Sequence, residues 1–220
     1  MLFRAFATAL LLSTVASGQA PSKLLDCEAK EPATLKAAPP GVRRTSKNEL
    51  RVGWKAGTRI FRDSGYVDGY LGGIDYRYCG YDPVSGFHLI SKQDNDVFGG
   101  VLLDQATGRV LPAGTRVAFS PDLSQYFAAS QLDGLDGENW HLYSISRGRL
   151  WKGLSGITAR DHKLDYEYFV AELSNPHWSA QNQLQATLTC ADKSRSATVT
   201  LSRRGTTFVW LPALACPTVP

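Results

Sequence analysis

From residue 48 onward the chain alternates apolar and polar positions in short runs, and Gly, Pro, Asp and Asn separate the runs. An apolar side chain at every second position is the pattern of a strand with one buried face, and the separators are turn formers. No comparable stretch sets its apolar residues at helical spacing. The pattern predicts an all-β fold.

The strands repeat. "RVAFSPDLSQYFAAS", residues 116–130, reads as a strand, a Ser-Pro-Asp turn and a second, aromatic strand. Thirty-nine positions earlier lies "RYCGYDPVSGFHLIS", residues 77–91. It sets Tyr78 on Val117, Tyr81-Asp82-Pro83 on Ser120-Pro121-Asp122, and Phe87 on Tyr126. A second hairpin follows in each copy: "VLLDQATGRVLPAG" (101–114) matches "HLYSISRGRLWKGL" (141–154), with Gly108 over Gly148. A weaker third copy begins at "PHWSAQNQLQATLTC" (176–190), and its second hairpin turns at Gly205. Each unit therefore holds four short strands in about 40 residues, the period and content of a propeller blade.

One such sheet cannot bury both faces alone, so units are expected to stack and share apolar layers built by residues such as Val117, Phe119, Tyr126, Phe127, Leu142, Tyr143, Ile145, Leu150 and Trp151. Residues 48–65 supply strands for a partial unit. The expectation is a propeller-like array of three to four four-stranded antiparallel sheets, open or incomplete. A sandwich with coincidentally similar hairpins is the competing arrangement. The repeats fall near 76–114, 115–154 and 176–212, inside one β-repeat domain, 48–220. Residues 155–175 read as an irregular insertion with room for a helical turn or two. Residues 21–47, marked by "PATLKAAPPG", read as an N-terminal arm.

The first twenty residues differ in kind. "MLFRAFATALLLSTVASGQA" has a cation at Arg4, an apolar run from Ala5 to Val15 and small residues at Ala16, Ser17, Gly18 and Ala20. This is the layout of a cleavable signal peptide, with an apolar run too short for a bilayer span. A secreted or periplasmic protein is expected. Losing the leader leaves 23 basic against 20 acidic side chains, a net charge of +3. No Lys/Arg run exceeds two residues, which argues against a nucleic-acid partner. No membrane span is expected.

Four cysteines remain, Cys27, Cys79, Cys190 and Cys216. In an oxidising compartment they read as two disulfides with three possible pairings. Cys190 and Cys216 sit in what look like neighbouring strands of one C-terminal sheet, leaving Cys27 for Cys79. None lies in the Cys-x-x-Cys spacing of a metal site.

Candidate chemistry is sparse. There is no Gly-x-Ser-x-Gly elbow. Ser120 is followed by proline, which removes an N–H an oxyanion hole would use, so it reads as a turn cap beside Asp122. Of the histidines, His88 and His141 fall inside expected strands, and neither they nor His177 belongs to a paired motif. His162, beside Asp161 and near Glu167, is the best candidate for proton transfer, because a carboxylate can raise and orient an imidazole. Two loops, 91–100 and 132–140, offer oxygens for calcium through Asp94, Asn95 and Asp96, and through Asp133, Asp136, Glu138 and Asn139. The same residues suit ordinary turns. Calcium is the one cofactor these groups would take; otherwise none is expected.

Tyrosines cluster among glycines in "DSGYVDGYLGGIDYRYCGYD", residues 63–82, a composition shared by protein-binding loops and propeller cores. The Phe119-Ser120-Pro121-Asp122 stretch with its Tyr126-Phe127 strand resembles the WD40-like "SPD" blade repeats of exported bacterial proteins. The third copy departs from it, with Ser179-Ala180-Gln181 in the motif's place. The resemblance implies a rigid scaffold that binds through loops, and fold alone carries no function.

The function expected is therefore a non-enzymatic exported binding protein of inhibitor or immunity type. It would grip a protein partner through loops 63–75, 92–99, 131–139 and 155–175, with Tyr66, Tyr70, Asp94, Asp96, Asp136, Glu138, Trp140, His162 and Tyr166 in contact. A polysaccharide hydrolase or lyase using Asp161, His162 and Glu167 or Glu138 is the second reading, and a structural envelope protein the third.

Overall fold

The computed structural model describes residues 24–64, 72–95, 97–131, 137–161, 166–213 and 215–217; the expected signal peptide lies outside them. The fold is all-β: among the described residues strands make up 63% and helix 3%, so strands alone carry the architecture. Four antiparallel sheets follow one another along the sequence. After a two-residue strand β1 (Leu25–Asp26) and a short helix α1 (Glu31–Lys36), the first sheet is β2 (Arg43–Ser46), β3 (Glu49–Trp54) and β4 (Gly57–Arg62). The second is β5 (Ile74–Asp82), β6 (Phe87–Asp94), β7 (Val97–Asp104) and β8 (Val110–Ala113). The third is β9 (Arg116–Phe119), β10 (Gln125–Gln131), β11 (Glu138–Ser144) and β12 (Gly148–Leu154). The fourth comprises β13 (Gly156–Asp161), β14 (Tyr166–Trp178), β15 (Leu184–Cys190), β16 (Ser196–Arg204) and β17 (Thr207–Leu211).

The repeated stretches occupy equivalent places. Residues 77–91 form the first hairpin of the second sheet, and 116–130 the first hairpin of the third. Each hairpin turn is pinned by a side chain near its start. Asp82 accepts the amides of Val84 and Ser85, and Ser120 accepts that of Gln125 at 3.0 Å while donating to Asp122 at 2.7 Å. Ser179 accepts Gln181 and Gln183. The second hairpins turn at Gly108, Gly148 and Gly205, all at positive φ, where glycine carries no steric cost. At Gly108 the requirement is double, because a Cβ would also lie 2.6 Å from the Trp54 ring.

Strand alternation then stacks the sheets. Leu50, Val52 and Phe61 of the first sheet pack with Tyr78, Ile90 and Leu103 of the second. The opposite face of the second sheet, through Phe87, Leu89 and Leu102, packs with Val117, Phe119, Tyr126 and Tyr143 of the third. The third sheet's other face presents Phe127, Trp140 and Leu142 to Leu173, Leu188, Val199 and Leu201 of the fourth. Successive residues thus feed different layers, as period-two geometry dictates. Among the described residues no buried cluster joins the fourth sheet back to the first, so the array is open and propeller-like.

Three expectations change. Residues 155–175 are not an irregular insertion: most of them form β13 and the start of β14, and the fourth sheet begins at Gly156 rather than near 176. The arm is partly structured, with α1, and β2 belongs to the first sheet. The third and fourth sheets have five strands rather than four, because β1 adds beside β9 and β13 beside β14. Both expected disulfides are present. Cys27–Cys79 ties the arm to β5, and Cys190–Cys216 ties the end of β15 to the segment beyond β17. Cys216 itself follows the last strand instead of lying in it. No helix among the described residues is long and apolar enough to cross a membrane.

Candidate functional site

Antiparallel meanders separate two kinds of connection. The β3–β4, β5–β6, β7–β8, β9–β10, β11–β12, β14–β15 and β16–β17 turns lie at one end of the stack, the turn end. The segments between sheets, together with the β2–β3, β6–β7, β10–β11 and β15–β16 connections, leave from the other, the linker end. Three of the four loop groups expected to bind, 63–75, 92–99 and 131–139, bridge strand termini of the linker end, whereas 155–175 runs through β13 and into β14.

Polar clefts run along the same end. The first, about 350 Å³, opens where the Lys47–Asn48 turn meets Asp63, Ser64, Ile74 and Asp75. Asp75 also lines a second cleft, with Arg77, Lys92, Phe98 and Thr115. Arg77 and Thr115 line a third, with Asp26, Glu28, Arg116 and Glu138. Lys92 joins the second to a fourth, with Asp94, Asn95 and Val97. Because neighbouring clefts share walls, they form one branched groove across the first three sheets. Gly114 makes the crossing between second and third sheets possible, since a Cβ there would sit 1.8 Å from the Ala129 carbonyl oxygen.

The groove's charges are held in place. Arg116 Nη2 pairs with Glu138 Oε2, which also accepts the Trp140 indole N–H at 2.9 Å. The Glu138 amide donates to Ser155 Oγ at 2.8 Å, and Ser155 returns its own amide to the Glu138 carbonyl. Arg77 Nη2 donates to the Cys27 carbonyl, so the arm forms one wall. Lys92 pairs with Asp94 at 2.8 Å. Asp63 accepts the Tyr76 amide at 2.9 Å and Arg44 Nη1 at 3.2 Å. Burial raises the Asp75 carboxyl above its ordinary range, and the charge of Asp63 adds to that. The outcome is a surface of alternating, oriented acids and bases.

Beyond the groove, a hairpin projects from the linker end. β14 pairs with β15 only from Ala171 onward, whereas Tyr166–Phe169 pair with β13. Phe169 on this overhang is 44% exposed.

The expected site residues are distributed as follows. Glu138 and Asp94 line the groove. Trp140 does not belong to an exposed surface: it is 1% exposed and packs edge-on to Phe127 and Trp210. Tyr66, Tyr70, Asp96, Asp133, Asp136 and His162 lie outside the described residues. Asp161 and Tyr166 are ladder partners, and Glu167 is exposed opposite Arg160. Asp94, a calcium candidate, already has an ammonium partner in Lys92. No group of three or more His, Cys, Asp or Glu among the described residues is arranged for a metal. His88 is buried in a polar chain, accepting from or donating to Tyr78 at 3.0 Å and Gln105, and burial lowers its pKa. His141 is half-buried, with its pKa lowered by burial and by Arg149 and Lys152. His177 is exposed, with Nδ1 2.9 Å from the Asn175 carbonyl.

Sequence reasoning missed Arg77, Lys92, Arg116 and Asp75. They sit in β5, β6 and β9, and the walls they share are brought together from different strands and sheets. No protein-family model, no curated protein and no solved structure matches the chain.

Proposed function

We propose that the chain is an exported binding protein that grips another protein at the linker end of its sheet stack. The two disulfides fit an oxidising compartment, secreted or periplasmic. The observation that carries the reading is the groove of shared clefts at the end where the inter-sheet connections emerge. Rigid scaffolds present recognition segments in this way. Its alternating charges suit a protein surface, which offers both signs, and they give orientation and specificity in docking. The exposed Phe169 on the overhanging hairpin supplies an apolar anchor of the kind that dominates interface energies. If the partner is an enzyme, the role is inhibitory or immunity-type.

The test is affinity capture from the envelope fraction of the producing cell. Wild type is expected to retain one stoichiometric protein, and the groove variant Arg77→Glu/Arg116→Glu to lose it while keeping its melting temperature within a few degrees. Capture undiminished in that variant would overturn the assignment of the site. Turnover of a polysaccharide that Glu138→Gln abolishes would overturn the binding role itself.

A further inference from the structure

Charge is polarised along the stack. Residues 32–62 carry eight lysines and arginines against one carboxylate, Glu49, a net +7; residues 63–115 carry three cations against seven carboxylates, a net −4. The first of these segments is essentially the first sheet. Its side chains are sorted by face. Leu50, Val52 and Phe61 enter the layer shared with the second sheet, so Glu49, Arg51, Ile60 and Arg62 point the other way. The register sets Arg43, Arg51 and Ile60 in one row across the three strands, and Glu49 opposite Arg62 in the next. The Arg62 side chain is 70% exposed, that of Arg51 38%, and Ile60 is 38% exposed. Arg43 is exposed too, as are Lys47 and Lys55 in the flanking turns.

Like charges opposite one another, such as Arg43 and Arg51, disfavour a sheet. Glu49 partly relieves the strain. It accepts Thr45 Oγ1 at 2.7 Å, Arg51 Nε at 2.7 Å and Arg62 Nε at 3.1 Å, so two guanidinium groups are held side by side. The face remains strongly cationic. In the stack it is also the outermost face at one end: among the described residues the buried clusters lie on the inner side of this sheet.

We propose that this face docks on an anionic phospholipid surface. A three-stranded sheet with strands about 4.8 Å apart presents its cations side by side on one broad face, matching a bilayer surface rather than a groove. Guanidinium groups bond phosphate oxygens in pairs, and a cationic surface gains from the negative potential of anionic lipids. Ile60 in the middle of the arginine row adds a short apolar contact at the headgroup boundary, which a soluble polyanion would not reward. This inference is independent of the linker-end reading, because the two surfaces share only Lys47 at their margin.

The probe is sedimentation of the full, disulfide-bonded protein with vesicles of equimolar phosphatidylglycerol and phosphatidylcholine, beside vesicles of phosphatidylcholine alone. Partition is expected to the anionic vesicles only, and to weaken as salt is raised. Arg43→Gln/Arg62→Gln should lower it about thirtyfold. Lys47→Gln/Lys55→Gln, confined to the turns, should act in the same direction without touching the Glu49 cluster, which guards against a misfolded first variant. Equal partition to both vesicles, indifference to both variants, or retention on heparin without vesicle binding would each overturn the proposal. Capture of a protein partner at the linker end should be unaffected by Arg43→Gln/Arg62→Gln, neither of which lines the groove.

Discussion

Glu31 stands in for a missing strand beside Tyr78. Its Oε1 accepts the Tyr78 amide at 2.8 Å across 47 residues of sequence, while Oε2 accepts Arg44 Nε at 2.7 Å. The third and fourth sheets cover the outer edge of their leading strand with β1 and β13, but among the described residues β5 has no such neighbour. Side chains serve instead. Thr34 Oγ1 donates to the Tyr78 carbonyl at 2.7 Å, Asp63 accepts the Tyr76 amide, Arg44 donates to the Tyr76 carbonyl, and Ser64 takes both polar groups of Ile74. An exposed strand edge invites association with other chains, and this cap blocks it.

Removing the cap should therefore destabilise the fold. Glu31→Ala strands a partly buried amide and removes one of the two carboxylate partners of Arg44, at a cost of about 2–3 kcal/mol. Urea denaturation measures it, and a loss under about 0.5 kcal/mol would mean that water replaces the carboxylate freely.

His88 makes stability depend on pH. Burial lowers its pKa, against the smaller opposing effect of the Gln105 bond. The unfolded chain, with an imidazole pKa of about 6.5, then binds more protons than the folded one as pH falls below that value. The neutral ring's contribution is full above about pH 6.5 and declines below it. In His88→Gln that decline should vanish, so the stability gap between the two proteins narrows from pH 7 to pH 5, values spanning the imidazole titration at about 6.5. A gap constant over that interval would contradict neutral burial. At the alkaline end burial raises Tyr78, so stability should fall as pH climbs past about 10.

The fold was largely legible because turn chemistry and alternation agree in the middle of the chain: Ser120 with Asp122, Gly108 with Gly148, and the Phe87 and Tyr126 strands all sit where the repeat sets them. It failed at 155–175 for a physical reason. β14 contains Asn175 at φ 52° followed by Pro176, residues that read as breakers, and a register shift between Ser174 and His177 absorbs both inside one strand. The basic face was hidden because strand geometry separates neighbours: Arg51 and Arg62 meet through Glu49 although eleven positions apart, and no run of cations announces them. The side-chain cap on β5 was equally invisible, since it is assembled from α1, β2 and the end of β4.

The Cys27–Cys79 bridge closes a span of 52 residues, and Cys190–Cys216 one of 26. Chain entropy assigns about 4 and about 3.5 kcal/mol to loops of these lengths. Cys27→Ser/Cys79→Ser should lower stability by roughly the larger amount and also loosen the arm wall of the groove at Arg77. Calorimetry of the two double variants checks the order; a larger loss at the C-terminal bridge would go against it.

Two phenylalanines should separate scaffold from surface. Phe127, fully buried between third and fourth sheets, should cost about 3–5 kcal/mol as alanine. Phe169→Ala should leave stability within about 0.5 kcal/mol yet weaken partner capture. A large melting shift for Phe169→Ala would make the overhanging hairpin a structural element rather than an anchor.

Amide hydrogen exchange of the protein with and without its captured partner tests the central claim most directly. Protection is expected at 72–77, 92–95, 114–116, 137–139 and 155–156, where strands meet the linker end. The turn-end segments 83–86, 105–109, 120–124 and 145–147 should exchange as in the free protein. Protection confined to those turns, or spread evenly over both ends, would contradict docking at the linker end.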